Sequence, residues 1–402
     1  MTKLNKRKSF VVGVVLLFSI MLVLAGCGGT DTPSGEQKGE QKQTDSGKKG
    51  EILIGTAGPF TGPNAEYGKG LRQGTEIAAE EWNAKGGLLG KEIKLVHGDT
   101  QGDSKQATTV ANKFVSQDIV AVLGATFSNE ALAANPIFEQ AKLPAVSGVA
   151  SAAKIRTAPG NAYFFRTVGN DSGIGGFLAK FCQEGLNAKT IAFINDGTAY
   201  TKGAVQSIKA AADKLGLKTV FDEGITPGEK DYTATITKLK QIAPDVIVGG
   251  TFAPEGGLLK KQAFEAKLDS KFVFISGNQN PTFAEIAGKE AAKGSFDVEY
   301  MGVMDVDTPL ATSLIAKVKE KYNENVDTFA GNWYDAANAL FKAIEAAGTT
   351  DGEKVREALL NLKTFDGATG PVTFTEVGER KEQSYVAKQF NGEAWVKYNP
   401  KG

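Results

Sequence analysis

The sequence predicts an α/β protein of two lobes, each a parallel sheet with helices on both faces. Three observations predict it. From Glu51 onward, short apolar runs alternate with amphipathic stretches of helical period. The strand-like runs fall into two successive series. The body of about 350 residues is larger than one comfortable hydrophobic core, so two are expected.

The first strand series is Ile52–Ile54, Ile93–Val96, Val120–Leu123 and Ala145–Ser147. Helical patterns over Leu71–Trp82 and Ala107–Val115 separate its members, as crossovers between parallel strands require. Ser128 follows the third strand and precedes an apolar helical stretch from Ala131, so it reads as an N-cap. The second series is Ile191–Ile194, Thr219–Phe221, Val246–Val248 and Phe272–Ile275, with helices over Val205–Leu215 and Leu258–Ala266. Later helices near Leu310–Tyr322 and Trp333–Ala347, and strands near Val372–Phe374 and Tyr385–Phe390, must return to these lobes. Spacing alone does not assign them. Ligands of open parallel sheets sit beyond the carboxyl ends of the strands. The loops directly after the strands are therefore the candidate site.

The N-terminus carries an address. Lys3, Lys6, Arg7 and Lys8 form a basic head, and Phe10 to Leu24 is an apolar run without charge. Leu24-Ala25-Gly26-Cys27 follows. This layout is that of an export signal. At ~15 residues the run is short of the ~20 that a spanning helix needs. The cysteine after small residues resembles a bacterial lipobox, which implies that Cys27 becomes a lipidated N-terminus on the outer face of the cytoplasmic membrane. No nucleotide pool exists there. Gly28 to Gly50 holds no aliphatic or aromatic residue and reads as a flexible tether, with a coil length of about 25 Å.

The 402 residues carry 46 basic and 46 acidic side chains. Removal of the basic head leaves four more acidic than basic groups, a balance that favours neither nucleic acid nor an anionic membrane face. Beyond Cys27 the only cysteine is Cys182, so one mature chain can form no disulfide, and Cys182 reads as a core residue of a helix face. His97 is the single histidine, and with one mature thiol it excludes the usual zinc and two-histidine iron sets. No cofactor is expected. Gly173-Ile174-Gly175-Gly176 has Leu178 where a dinucleotide fingerprint needs its third glycine. There is no G-x-S-x-G elbow and no H-E-x-x-H. The catalytic inventory is sparse, and no enzyme is expected.

Several ordered segments carry a family resemblance. Gly58-Pro59-Phe60-Thr61-Gly62-Pro63-Asn64-Ala65-Glu66-Tyr67-Gly68, after the first strand, resembles the opening loop of the branched-chain amino-acid-binding proteins of ABC importers. Asn83 to Gly90, Asp99 to Ala107, Gly228 to Tyr232, Tyr334-Asp335-Ala336 and Thr369 to Phe374 resemble further family segments in order. The resemblance runs from about Ile52 to Tyr398. It implies two Rossmann-like lobes joined by a three-strand hinge with a ligand cleft between them. Lobe I would comprise residues 51–170 with 300–386, and lobe II 171–299 with 387–402, after a signal at 1–26 and a tether at 27–50.

The resemblance also implies a site of Tyr67, Ser128, Asn129, Val149, Ala150, Ser151, Tyr200, Phe252 and Asn278. Ser128 would receive a ligand carboxylate, which a helix N-terminus favours. Val149-Ala150-Ser151 would supply backbone groups and a hydroxyl to the amino-acid head. Tyr67 and Tyr200 would contribute one ring per lobe, and Phe252 a further ring without a hydroxyl. Asn278 stands near where several family members carry an acid for the ligand ammonium. An amide brings no charge, so either Glu66, Asp196 or Glu255 serves instead, or the ligand has no ammonium. The function implied is delivery of an amino acid, of aliphatic or branched-chain type, or a related small carboxylate to an ABC permease by a lipid-anchored monomer. A sensor with the same cleft, and less readily a secreted enzyme, are the alternatives.

Overall fold

The computed structural model describes residues 50–399. The export signal, Cys27 and all of the expected tether but Gly50 lie outside the described residues. The first half of the chain runs β1 (Glu51–Gly58), α1 (Glu66–Ala84), β2 (Glu92–Asp99), α2 (Ser104–Val115), β3 (Ala121–Leu123), α3 (Ser128–Gln140), β4 (Ala145–Ser147), α4 (Ala153–Thr157) and β5 (Phe164–Arg166). These five strands form one all-parallel sheet in the order β2-β1-β3-β4-β5.

The chain then crosses to a second sheet. It continues as α5 (Asp171–Lys180), a π-turn over Phe181–Gly185, β6 (Thr190–Asn195), α6 (Ala199–Lys214), β7 (Lys218–Gly224), α7 (Thr233–Ile242), β8 (Val246–Gly250), α8 (Ala253–Glu265), β9 (Lys271–Ile275), α9 (Pro281–Ala287), α10 (Lys289–Ala292) and β10 (Phe296–Tyr300). After β10 the chain returns to the first lobe with α11 (Pro309–Tyr322), α12 (Ala330–Ala347), α13 (Gly352–Leu360) and a small hairpin, β11 (Phe365–Gly367) and β12 (Gly370–Val372). It closes with β13 (Tyr385–Phe390) and β14 (Trp395–Lys397) on the second sheet. That sheet has the order β14-β13-β10-β9-β8-β6-β7, with β13 antiparallel to both its neighbours, β10 and β14.

Local chemistry explains these elements. Asp103, Asn170, Thr198, Asn280, Thr308 and Asp351 each accept a backbone N–H at the start of a helix. The central strands are buried end to end, as sheets covered on both faces demand. α12 enters the first core almost whole, and Gly74 lets α1 approach it. A Cβ at Gly74 would lie 2.3 Å from the Ala330 carbonyl oxygen.

Three crossing segments join the lobes side by side. The Arg166 N–H donates to the Gly378 carbonyl at 3.1 Å, and the Met301 N–H to the Ser384 carbonyl at 2.9 Å. The Arg380 guanidinium donates to the Thr167 carbonyl at 2.9 Å. Fully buried Arg166 meets Glu379 at 2.6 Å. The crossings are thus tied to one another rather than to solvent.

All eight strands of the two predicted series are present, most with one to four extra residues. Several features differ from the sequence reading. The short strands β5, β11 and β14 were not predicted. Nor was β10, although Phe296 to Tyr300 alternates as a half-exposed strand would; all five of its residues are buried. The strand expected over Val372–Phe374 ends at Val372, and Phe374 makes only an isolated bridge to Arg380. Ser128 is the first residue of α3 rather than its N-cap, a position held by Phe127. Cys182 is fully buried in the π-turn, where burial pushes its thiol up to about 12. Among the described residues no helix is long and apolar enough to cross a membrane.

Candidate functional site

A cleft lies where the strand ends of the two sheets face each other. Its walls are Tyr67, Thr126, Phe127, Ser128, Val149, Ser151 and Phe329 from the first lobe, and Tyr200, Phe252, Ser276 and Gly277 from the second. Little free space remains among these side chains.

Most of the wall comes from segments that follow strands; Phe329 instead stands at the start of α12. Thr126, Phe127 and Ser128 follow β3 and begin α3. The Phe127 N–H donates to Glu130 Oε2 at 2.8 Å, half of a capping box. Glu130 is fully buried and also accepts the Thr100 hydroxyl at 2.5 Å. Burial pushes its carboxyl up to about 7. Ser128 Oγ accepts the Ala152 N–H at 3.1 Å. Its own proton is thereby left to donate into the cleft, beside the free N–H groups of a helix start.

Val149 and Ser151 follow β4. Ser147 Oγ accepts the N–H of Val149 at 3.2 Å and of Ala150 at 2.9 Å. Beneath them the Arg166 guanidinium donates to the carbonyls of Ala150 at 3.0 Å and Ala152 at 3.1 Å. A buried cation thus sets the loop that carries Ser151.

The second lobe meets the first through aromatic rings. Tyr67 stands edge-on to Phe127 at 5.2 Å and to Phe252 at 5.5 Å, and Phe127 and Phe252 are 4.8 Å apart. Tyr200 lies 6.1 Å from Phe252. The Tyr67 hydroxyl donates to the Gly277 carbonyl at 2.7 Å and accepts the Ala253 N–H at 2.9 Å. Both partners belong to the opposite lobe, so the described state is closed. Burial raises the hydroxyls of Tyr67 and Tyr200 well above the ordinary tyrosine range, which keeps both as neutral donors.

Six of the nine residues expected at the site line the cleft: Tyr67, Ser128, Val149, Ser151, Tyr200 and Phe252. The structure does not bring the other three to its surface. Asn129 turns to the Gly102 carbonyl and Ser104. The Ala150 carbonyl is taken by Arg166. Asn278 is wholly buried and donates to the Thr251 carbonyl at 2.9 Å. None of the three substitute acids lines the cleft either. Glu66 borders a separate surface groove, Asp196 accepts from Thr201 and Thr198, and Glu255 accepts from Gly228. Thr126, Phe127, Phe329, Ser276 and Gly277 were missed. Phe127 was hidden by the N-cap reading of its neighbour. Ser276 and Gly277 stood next to Asn278, in a loop already marked by its position after β9.

A cleft between two strand-end surfaces, crossed by three tied segments and lined by hydroxyls and rings, defines a two-lobed solute-binding protein. The chain belongs to the periplasmic binding protein family, whose pattern matches residues 51–394. It is 35% identical over 343 residues to the leucine-, isoleucine-, valine-, threonine- and alanine-binding protein of Pseudomonas aeruginosa, covering 85% of this chain and 91% of that one. The leucine-binding protein LivK of Thermotoga maritima has the same fold, with a TM-score of 0.81 at 26% identity over 87% of this chain and 98% of that chain. LivJ of Streptococcus pneumoniae, solved with isoleucine, gives 0.79 at 26% identity over 87% and 100%.

Proposed function

We propose that this chain captures a small aliphatic amino acid between its lobes and delivers it to an ABC permease. The observation that carries the reading is the division of labour within the cleft. Ser128, Ser151 and the start of α3 offer donors on one side, suited to a carboxylate. Phe127, Val149, Phe252 and Phe329 offer an apolar surface for a short side chain. The Pseudomonas relative supports the choice of ligand class. The site makes no use of a catalytic base: His97 lies at the far edge of the first sheet, 2.6 Å from Thr56 Oγ1. Export through residues 1–26, lipidation at Cys27 and a tether over 27–50 complete the reading, with lobe I at 51–170 and 300–386 and lobe II at 171–299 and 387–402.

Calorimetry of the purified mature chain tests it. Leucine, isoleucine and valine should bind at low micromolar concentration or tighter, and acidic and basic amino acids should not. Binding of none of the twenty amino acids would overturn the proposal.

A further inference from the structure

An amino acid brings an ammonium as well as a carboxylate, and the cleft wall contains no charged side chain. Burying an ammonium without a negative partner is costly. We infer that Glu299 supplies that partner. The inference rests on the proposed function and names the residue that selects an amino acid over other carboxylates.

Glu299 stands directly behind the cleft wall. Both second-lobe backbone residues of that wall, Ser276 and Gly277, reach it: the Ser276 hydroxyl and the Gly277 N–H donate to its carboxylate. It also borders a small cavity that shares Tyr67, Gly277 and Phe329 with the cleft. A ligand group that enters that small cavity would meet Glu299. Among the described residues no cation answers this charge in full. Asp297 lies two residues away on the same strand face, so two buried carboxylates sit side by side. The cation opposite them, Lys388, is already paired with Asp305 at 2.9 Å. The buried group is therefore short of one positive charge, which is what a ligand ammonium supplies.

The groups facing Glu299 are Asp297 and Tyr300 on its own strand, Lys388 on β13, Tyr200 on α6 and, across the small cavity, Asp327. Burial and the neighbouring Asp297 push its carboxyl well above the usual range. Burial thus favours the protonated form of Glu299 in the free protein. Arrival of an ammonium favours the ionised form, and the carboxyl proton passes to the buffer. Asp327 is the rival. It approaches from the first lobe, but accepts the Phe329 N–H and faces Lys69.

Leucine and its hydroxy-acid analogue, 2-hydroxy-4-methylpentanoate, separate charge recognition from shape. Both are titrated calorimetrically at pH 7 in two buffers of different ionisation enthalpy. The wild-type chain should prefer leucine by at least about tenfold and release protons on binding it. Glu299→Gln should weaken leucine by about tenfold or more, keep the analogue within about threefold, and abolish proton release. Asp297→Asn loosens the bracing of the Asn278 and Gln279 loop and removes the like charge beside Glu299, so it should keep the preference for leucine while reducing the proton release. Glu299→Asp should restore part of the preference and the proton release, and it serves if the glutamine variant does not fold.

Equal loss of both ligands in Glu299→Gln, an unchanged preference, or a preference that collapses in Asp327→Asn instead would overturn the inference. A wild type that favours the hydroxy acid overturns it too, while leaving a carboxylate-binding cleft in place. A wild type that binds neither ligand nor any amino acid removes the proposed function, and this inference with it.

Discussion

Ser128 shows how one hydroxyl can serve structure and ligand at once. Its oxygen accepts the Ala152 N–H at 3.1 Å, which locks the loop after β4 to the start of α3. The same oxygen carries a proton with no role in that lock. A carboxylate in the cleft would take it as a charge-assisted bond worth about 1.5–3 kcal/mol. Ser128→Ala should therefore weaken leucine binding by roughly tenfold or more, and calorimetry reads it directly. Unchanged affinity would remove Ser128 from the ligand. The residue scale also marks where the sequence was legible. Ser128, Ser151, Tyr67, Tyr200 and Phe252, which line the cleft, were read from their places beyond parallel strands and from the pocket roles the family resemblance implies. Asn278 was misplaced for a physical reason. Its loop does reach the cleft, but through the oxygen and backbone of Ser276 and Gly277, while the Asn278 amide turns inward to Thr251. A sequence gives the loop and leaves open which of its residues points forward.

At the scale of the element, α3 and β10 carry the chemistry. The start of α3 is held by Glu130, which accepts from Phe127 and Thr100 while wholly buried. Its carboxyl is pushed up to about 7 by burial. The folded protein therefore holds a proton there between about pH 4.5 and 7 that the unfolded chain has released. A raised acid makes the fold more stable at low pH within that window and less stable as pH rises through 7. Asp171 and Asp335, pushed up to about 6 by burial, act in the same direction. The melting temperature of the ligand-free protein should thus fall from pH 5 to pH 7.5. Glu130→Gln keeps an acceptor for the Phe127 N–H and cannot ionise, so it should flatten part of that slope. A wild-type profile that rises over this range would refute the assignment. β10 was illegible for the reason that makes it functional. Acid alternation in a sequence signals a solvated face, and only the tertiary cover of Ser276, Gly277, Asn278 and Gln279 turns Asp297 and Glu299 into buried groups. All eight strands of the two series, by contrast, were located, though most run longer than the apolar runs that marked them, because strands covered on both faces are written as continuous apolar runs.

At the scale of the whole molecule the question is what keeps the two lobes together. The crossing segments allow rotation, and ligand binding shifts such a hinge only by contacts that differ between open and closed forms. Tyr67 makes such contacts between protein groups alone. From α1 it donates to Gly277 and accepts from Ala253 on the other lobe, and its ring meets Phe252. These bonds exist only when the cleft is shut. Tyr67→Phe keeps the ring and removes both hydrogen bonds, each worth about 0.5–1.5 kcal/mol net. The closed population should fall by on the order of tenfold relative to the open one. In solution scattering the ligand-free variant should show a larger radius of gyration than the ligand-free wild type, and both should contract to one value when saturated with leucine. Affinity should fall by the same factor as the closed population, because the binding-competent form must first be regained. If the ligand-free variant scatters like the wild type while losing affinity, the Tyr67 hydroxyl acts on the ligand and not on closure.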